Sequence, residues 1–428
     1  MTRWLTPGTL LLLALALRVP TLGSWSVWID EAITVEGLRG AAPPYVLHYL
    51  LARPLLALLG DSEWALRVQP CAFGVATVWL LARLRPPGVA PAVPLVAALL
   101  LASASWHVFM SQNARAYAGQ GCFVLIAFAA SAGWLRGSGL RHLGTGTAAF
   151  ALAVASHPAA IFQLPGLLWV AWPRIPRRAR GWLLGLGGVL FACAAWAYLP
   201  GLDEYLRQKG RGSALQLVTS YGFLAGPVLL LAAAVGAVGR GRTSPELRFL
   251  AAGAAAYLAG SQVLFLTGYH AFGTLPVGML LAARGLHACS RTRAGQVLAA
   301  LLALQTCVWL VLYHTSHGMR PRWREAAQHA AAAARDGHAV FATQVPALAY
   351  YLPGTRVHGV AAWQHDDLER ALAGPVWLAV HPDDVAVLAP AERARLQRIV
   401  AGRMVPVAEL PCRFGPKEMT LTLHRDRP

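Results

Sequence analysis

The sequence predicts an α-helical polytopic membrane protein that closes in a small α/β domain. Three observations predict it. Hydrophobic residues make up 56% of the 428 positions and charged residues only 13%, where soluble domains carry roughly 25% charged. Apolar runs close to the ~20 residues a bilayer requires recur from the N-terminus to about residue 313. From residue 320 onward the pattern changes to short apolar runs alternating with polar helical stretches, which is the signature of an α/β unit.

Taken in order, residues 5–23 form the first apolar span. Arg3 before it fits either a retained span or a cleaved leader. Arg18 near its far end favours a retained span with the arginine reaching toward the surface. Residues 24–63 form a first outer loop, broken at Pro43-Pro44-Tyr45 and by Pro54, and read as short interfacial helices. Span two is Leu66 to Leu84, and span three runs from Pro91 to about Val108. The polar patch Ser111-Gln112-Asn113-Ala114-Arg115-Ala116-Tyr117 precedes span four, residues 118–135. His142 to Trp172 is too long for one span, and Ser156-His157-Pro158 divides it into spans five and six. Spans at 182–200, 215–238, 248–266, 271–286 and 294–313 complete a count of about eleven.

Charge sets the expected orientation. The net charge is +18, nearly all from arginine, since lysine occurs only at Lys209 and Lys417. In a chain this apolar, that balance points to loops anchored at anionic headgroups and away from nucleic acid. With the N-terminus inside, inner loops hold about twice as many basic residues as outer ones, as the positive-inside rule requires. The expected organisation is a transmembrane domain over 1–319 and a soluble extracytoplasmic domain over 320–428. Asp30-Glu31, Gln112 to Tyr117, Ser156-His157 and the basic loop Arg207, Lys209, Arg211 then share the outer side. The six cysteines show no paired spacing, so neither a disulfide framework nor a zinc site is indicated.

The candidate chemistry sits on that side. Asp30 and Glu31 are consecutive, so on a helix they point about 100° apart and do not share a ligand symmetrically. One can act while the other orients it, and a partly desolvated carboxylate has the raised pKa of a general base. The plain alternative is a helix start, where acidic groups complement the dipole. Trp25 and Trp28 suit a sugar platform or an interfacial aromatic belt. Arg115 suits a phosphate clamp or a snorkelling arginine. His157 suits substrate contact or a structural place at a helix break. In the last domain, strands are expected at 339–342, 356–360, 376–380 and 419–423, and helices at Trp323–Arg335, Asp366–Ala373 and Pro390–Val400. His365-Asp366-Asp367 and His381-Pro382-Asp383-Asp384 there read as helix starts before they read as metal ligands.

At these residues the sequence is recognisable. Trp28-x-Asp30-Glu31-Ala32, Pro43-Pro44-Tyr45, Leu59-Gly60-Asp61-Ser62-Glu63-Trp64-Ala65-Leu66-Arg67 and Ser111 to Tyr117 occur in that order. Over about residues 1–170 this resembles the GT-C superfamily of integral membrane glycosyltransferases, close to its protein-mannosyltransferase and aminoarabinose-transferase branch. The resemblance implies a sugar donor on a polyprenyl phosphate and transfer at the outer face to an unidentified acceptor: protein, lipid or envelope glycan. It implies Asp30 as the principal catalytic carboxylate with Glu31 as its neighbour. Arg115 and Tyr117 would contact the donor; apart from the resemblance, Trp28, Gln112, His157 and Tyr45 are taken as further candidate substrate contacts. Asn113 stands where relatives often carry Glu, Ala42 where His is common, and Gly268-Tyr269-His270 where many carry an Arg-Tyr pair. Those departures leave the part played by a divalent metal ion open, and no other cofactor is implied. A sugar leaving as its phosphate needs no strong acid, so one base and a single inverting displacement suffice. The rival class is a transporter or lipid flippase with no covalent chemistry. Against it, no internal repeat is evident and the polar residues gather on one side.

Overall fold

The computed structural model describes residues 4–39, 46–85, 89–137, 139–178, 180–181, 185, 188–189, 212–238, 244–360, 365–414 and 417–427. Tyr45, the span expected at 182–200, and Arg207, Lys209 and Arg211 lie outside the described residues. The chain forms two compact units. A helical unit comprises residues 1–19, 44–55 and 67–309, and a mixed unit comprises 20–43, 56–66 and 310–428.

In the helical unit the first span is short. α1 covers Pro7–Ala16, opened by a Thr6–Thr9 capping box with Pro at its start. Arg18, expected to reach toward the surface, is fully buried. Its Nη1 donates to the carbonyls of Ala14 and Ala102, each at 3.1 Å, and its Nη2 lies 2.7 Å from His107 Nδ1. Backbone carbonyls left over at the end of α1 therefore draw the guanidinium inward.

α2 (Ile29–Arg39) belongs to the mixed unit, and α3 (Val46–Leu59) follows it. Then come α4 (Glu63–Arg83), α5 (Ala92–Ser103), α6 (Ser105–Ser111), α7 (Tyr117–Leu135), α8 (Leu140–Ser156) and α9 (Leu164–Ala171). After the gap come α10 (Ala214–Ala225), α11 (Pro227–Val238), α12 (Pro245–Gly260), α13 (Leu275–Cys289) and α14 (Arg293–Thr315).

Among the described residues, α4, α7 and α14 are each long and apolar enough to cross a membrane. The number reaches five if the bent pairs α5–α6 (66°) and α10–α11 (98°) each count as one span. The second bend falls at Gly226, whose φ of +86° favours glycine. Gln305 covers the break, its Oε1 accepting from Val228 N at 2.9 Å, and so satisfies backbone that an apolar medium would leave bare. Close packing relies on small residues. A Cβ on Gly236 would stand 2.0 Å from the Leu281 carbonyl oxygen, and one on Gly285 would stand 2.1 Å from that of Ala232. α11 and α13 therefore approach backbone to backbone, the small-residue contact typical of membrane helices.

In the mixed unit, the polypeptide leaves α14 through a turn at His317–Met319 and enters α15 (Trp323–Arg335), within the boundaries expected for it. β1 (Ala339–Ala342), α16 (Val345–Ala349), β2 (Val357–Gly359), α17 (His365–Ala371), β3 (Val376–Val380), α18 (Pro382–Val387) and α19 (Pro390–Arg403) alternate as expected of an α/β unit. β4 (Met404–Leu410), the short pair β5 (Arg413–Phe414) and β6 (Lys417–Glu418), and β7 (Leu421–Asp426) complete it. The main sheet has the order β2-β1-β3-β7-β4, parallel among β2, β1 and β3 and antiparallel at β7 and β4. Phe341, Leu368, Leu378, Leu396 and Met404 form its core. His381 takes the N-cap position of α18, in keeping with the helix-start reading, although its ring makes no cap hydrogen bond.

Candidate active site

Two clusters carry the candidate residues, one in each unit. In the mixed unit, Asp30 and Glu31 occupy the first turn of α2. The helix-start reading holds for Glu31. Trp28 N donates to its Oε2 at 3.4 Å, closing the carboxylate back onto the helix beginning. The same oxygen lies 3.5 Å from Arg320 Nε, with neither side chain exposed. Asp30 and Trp28 are half-buried. The two acids thus divide: Glu31 is a buried, paired carboxylate, and Asp30 is the one solvent reaches.

Arg320 had no signal in the sequence, because nothing in the run Arg320-Pro321-Arg322-Trp323-Arg324 marks which arginine turns inward. A run of three left-handed residues places it. His317 has φ +52°, Gly318 +60° and Met319 +59°. Such angles are uncommon outside glycine and persist only where neighbours hold them. Arg320 Nη1 donates to Gly318 O at 2.9 Å, and Cys412 Sγ reaches Arg320 O at 3.1 Å. Burial pushes the Cys412 thiol up to about 11.

His317 Nε2 accepts from Ser26 N at 3.2 Å and lies 3.1 Å from Ser26 Oγ. An imidazole that accepts there is neutral. Burial first of all lowers its pKa to about 4. Glu325 opposes the shift, and Arg322, Arg320 and Arg324 reinforce it. The Trp25 ring packs 5.4 Å from His317 and edge-on to Tyr313 at 6.4 Å. Beside them, Glu63 Oε1 accepts from Arg324 Nη2 at 2.6 Å and from the Tyr351 hydroxyl at 2.8 Å, while that hydroxyl oxygen accepts from Val27 N at 2.6 Å. Ser26 to Glu31 are thereby fixed at several points.

In the helical unit, Arg115 and Tyr117 stand at the start of α7, and His157 stands at the break after α8. His157 is extended (φ −149°) and Pro158 opens a 3-10 segment, Pro158–Gln163. Tyr117 stacks on His157 at 4.7 Å between ring centres. His270, from a second 3-10 segment (Gly268–Thr274), meets His157 at 5.8 Å and Tyr117 at 6.4 Å, both edge-on. The Tyr257 hydroxyl ties the two segments together, lying 2.9 Å from Ala159 O and 2.8 Å from His270 O.

Both histidines use Nδ1 to accept a backbone N–H, from Ala159 at 3.1 Å and from Thr267 at 3.0 Å. That places the ring proton on Nε2 in each. The Arg115 guanidinium lies near enough to His48 and His157 to act on both electrostatically. Arg115, two imidazole N–H groups and a phenol make a donor-rich group suited to anionic oxygens. Gln112, expected at substrate, is buried and turns its amide onto the Arg18 carbonyl. His270 was legible only as a departure from a family pattern. Among the described residues no three His, Cys, Asp or Glu side chains gather as metal ligands.

No family model matches the sequence, and no curated protein matches it. Solved structures do. ArnT from Cupriavidus metallidurans in the apo state is 13% identical with a TM-score of 0.54, covering 97% of this chain and 97% of its own. The same protein bound to undecaprenyl phosphate is 13% identical with a TM-score of 0.53, covering 99% of this chain and 98% of its own. The likeness runs through nearly the whole of both chains, and it shows that this chain has the fold of that ArnT.

Proposed function

We propose that this chain is a multi-pass membrane glycosyltransferase that takes a sugar from a polyprenyl-phosphate donor and passes it to an acceptor at the outer face. One observation carries the reading: the fold matched over 99% of the chain is that of a protein whose solved structures include one with undecaprenyl phosphate. The arrangement of about eleven spans, N-terminus inside and final domain outside, belongs to the same proposal. So do the sugar and the acceptor class, whether protein, lipid or envelope glycan.

In the reaction, an acceptor hydroxyl attacks the anomeric carbon. The bond from that carbon to the phosphate oxygen breaks, its electron pair leaves with the lipid phosphate, and the hydroxyl proton passes to a base. Asp30 is proposed as that base, because Glu31 already serves Arg320 and the start of α2. An acceptor that is itself a phosphate needs no base, and Asp30 then positions the substrate. In the helical unit, Arg115 with the Nε2–H groups of His157 and His270 is proposed to take the donor phosphate and the charge that grows on it. Tyr117, stacked on His157, holds that group in place. Glu31 is a positioning residue in this scheme, and Trp28 remains a candidate for sugar contact.

The test uses purified full-length protein supplied with a lipid-linked sugar. Asp30→Asn is expected to lower transfer by about 100-fold or more, the usual worth of a general base, with donor binding retained. An unchanged transfer rate would remove Asp30 from the chemistry. Accumulation of donor inside vesicles without covalent product would instead favour a transporter.

A further inference from the structure

A cavity lies at the far end of α7 from Tyr117, about 28 Å away at 1.5 Å per residue. Its volume is about 140 Å³, comparable with the ~150 Å³ cavity that accepts a benzene ring. Leu84 and Arg85 beyond α4, the Phe128, Ala132 and Leu135 face of α7 with Arg136 just past its end, Pro245 and Glu246 opening α12, and Arg284 on α13 line it. α4 and α7 are both long and apolar enough to cross a bilayer. The cavity therefore stands where apolar spans give way to polar surface.

Its chemistry is mixed. Glu246 is 1% exposed. Its Oε1 accepts from Arg284 Nη2 at 2.8 Å. Its Oε2 is buried and has no hydrogen-bond partner among the described residues, and a buried carboxylate oxygen in that position calls for a donor. Arg85 and Arg136 stand at the exposed rim. Arg85 Nη1 is anchored on the carbonyls of Ala82 at 3.1 Å and Leu84 at 2.8 Å, and Arg136 Nε on that of Ala132 at 3.0 Å. Those anchors fix two guanidinium planes beside the amino end of α12, itself a favourable place for negative charge. Phe128, Ala132 and Leu135 supply an apolar wall.

We infer that this cavity binds the headgroup of a glycerophospholipid. The phosphate diester sits between Arg85 and Arg136, an ammonium or hydroxyl of the headgroup donates to Glu246 Oε2, and the first acyl carbons lie against Phe128 and Leu135. Phosphate, donor and tail occur side by side in phosphatidylethanolamine and phosphatidylglycerol. Phosphatidylcholine has the phosphate and tail but no N–H or O–H donor, and inorganic phosphate has no tail.

Native mass spectrometry of the delipidated full-length protein, given each of these four probes in turn, tests the assignment. One ethanolamine or glycerol lipid retained per chain, at least tenfold above phosphatidylcholine, is the expected result. The double variant Arg85→Ala/Arg136→Ala changes only exposed side chains and should lose that retention about tenfold, with the melting temperature of the lipid-free protein unchanged. Equal retention by wild type and variant, equal retention of phosphatidylcholine, or binding of inorganic phosphate in place of lipid would each overturn it.

Discussion

Glu31 and Arg320 face each other 3.5 Å apart with neither side chain exposed, one in the first loop and the other at the start of the last domain. Breaking such a pair leaves a charge in a dry place. Arg320→Leu is expected to cost about 3–5 kcal/mol, read as a lower unfolding midpoint of the detergent-solubilised protein. Glu31→Gln combined with Arg320→Leu should recover part of that loss, because no buried charge remains. A double variant no better than the sum of its single changes would show that the two residues do not act as a pair.

His317 gives the mixed unit a pH dependence whose sign is fixed. Its folded pKa is lowered to about 4, against about 6.5 for a free imidazole. Between those values the unfolded chain binds the proton and the folded chain does not. Stability is full above about pH 6.5, falls as the pH drops through the window and levels off below about 4. His317→Asn keeps a residue tolerant of the left-handed backbone and should remove this part of the slope. Thermal melts from pH 7.5 to 4 on both proteins measure the difference, and identical slopes would exclude His317 as its source.

Gly318 has two reasons to be glycine. Its φ is +60°, and a Cβ would stand 2.5 Å from Trp25 Cδ1. Gly337 has only the first, with φ +84° and nothing within 4 Å. Gly337→Ala should therefore cost about 1–2 kcal/mol, and Gly318→Ala clearly more. Denaturant unfolding monitored by tryptophan fluorescence separates the two, and equal costs would mean that the Trp25 ring moves aside freely.

Cys412 is buried and donates toward the Arg320 carbonyl. With its thiol pushed to about 11 from a reference of 9.0, its thiolate fraction at pH 8 is about a hundredfold below that of a free cysteine. Maleimide labelling followed by peptide mass spectrometry should find it slower than an unfolded control by that factor or more. Fast labelling of the folded protein would show that the packing around Arg320 opens.

Much of the fold was legible from periodicity and turn residues. The break at Ser156-His157-Pro158 falls where Pro158 ends α8, and α15 spans its expected residues because its apolar and alanine positions keep one face. β4 was missed because Pro406 interrupts it. Proline is tolerated there since β4 is the edge of the sheet and its register shifts between Pro406 and Ala408. Arg18 was misjudged because two of its partners, the Ala102 carbonyl on α5 and His107 on α6, lie more than 80 residues away in the sequence. The acid pair could be found in the sequence, but the burial of Glu31 beside a half-buried Asp30 could not. That depends on Arg320 and on three left-handed residues, and no local pattern announces either.

The pairing of residues 20–43 with 310–428 in one unit also orders events during synthesis. The first loop emerges early, whereas Arg320 and the sheet follow only after the intervening helices have been made. At roughly 5–20 residues per second, the nascent Glu31 waits about 15–60 s for its arginine. Until then its carboxylate has to stay hydrated, which holds the loop out of the bilayer while the helices behind it are inserted.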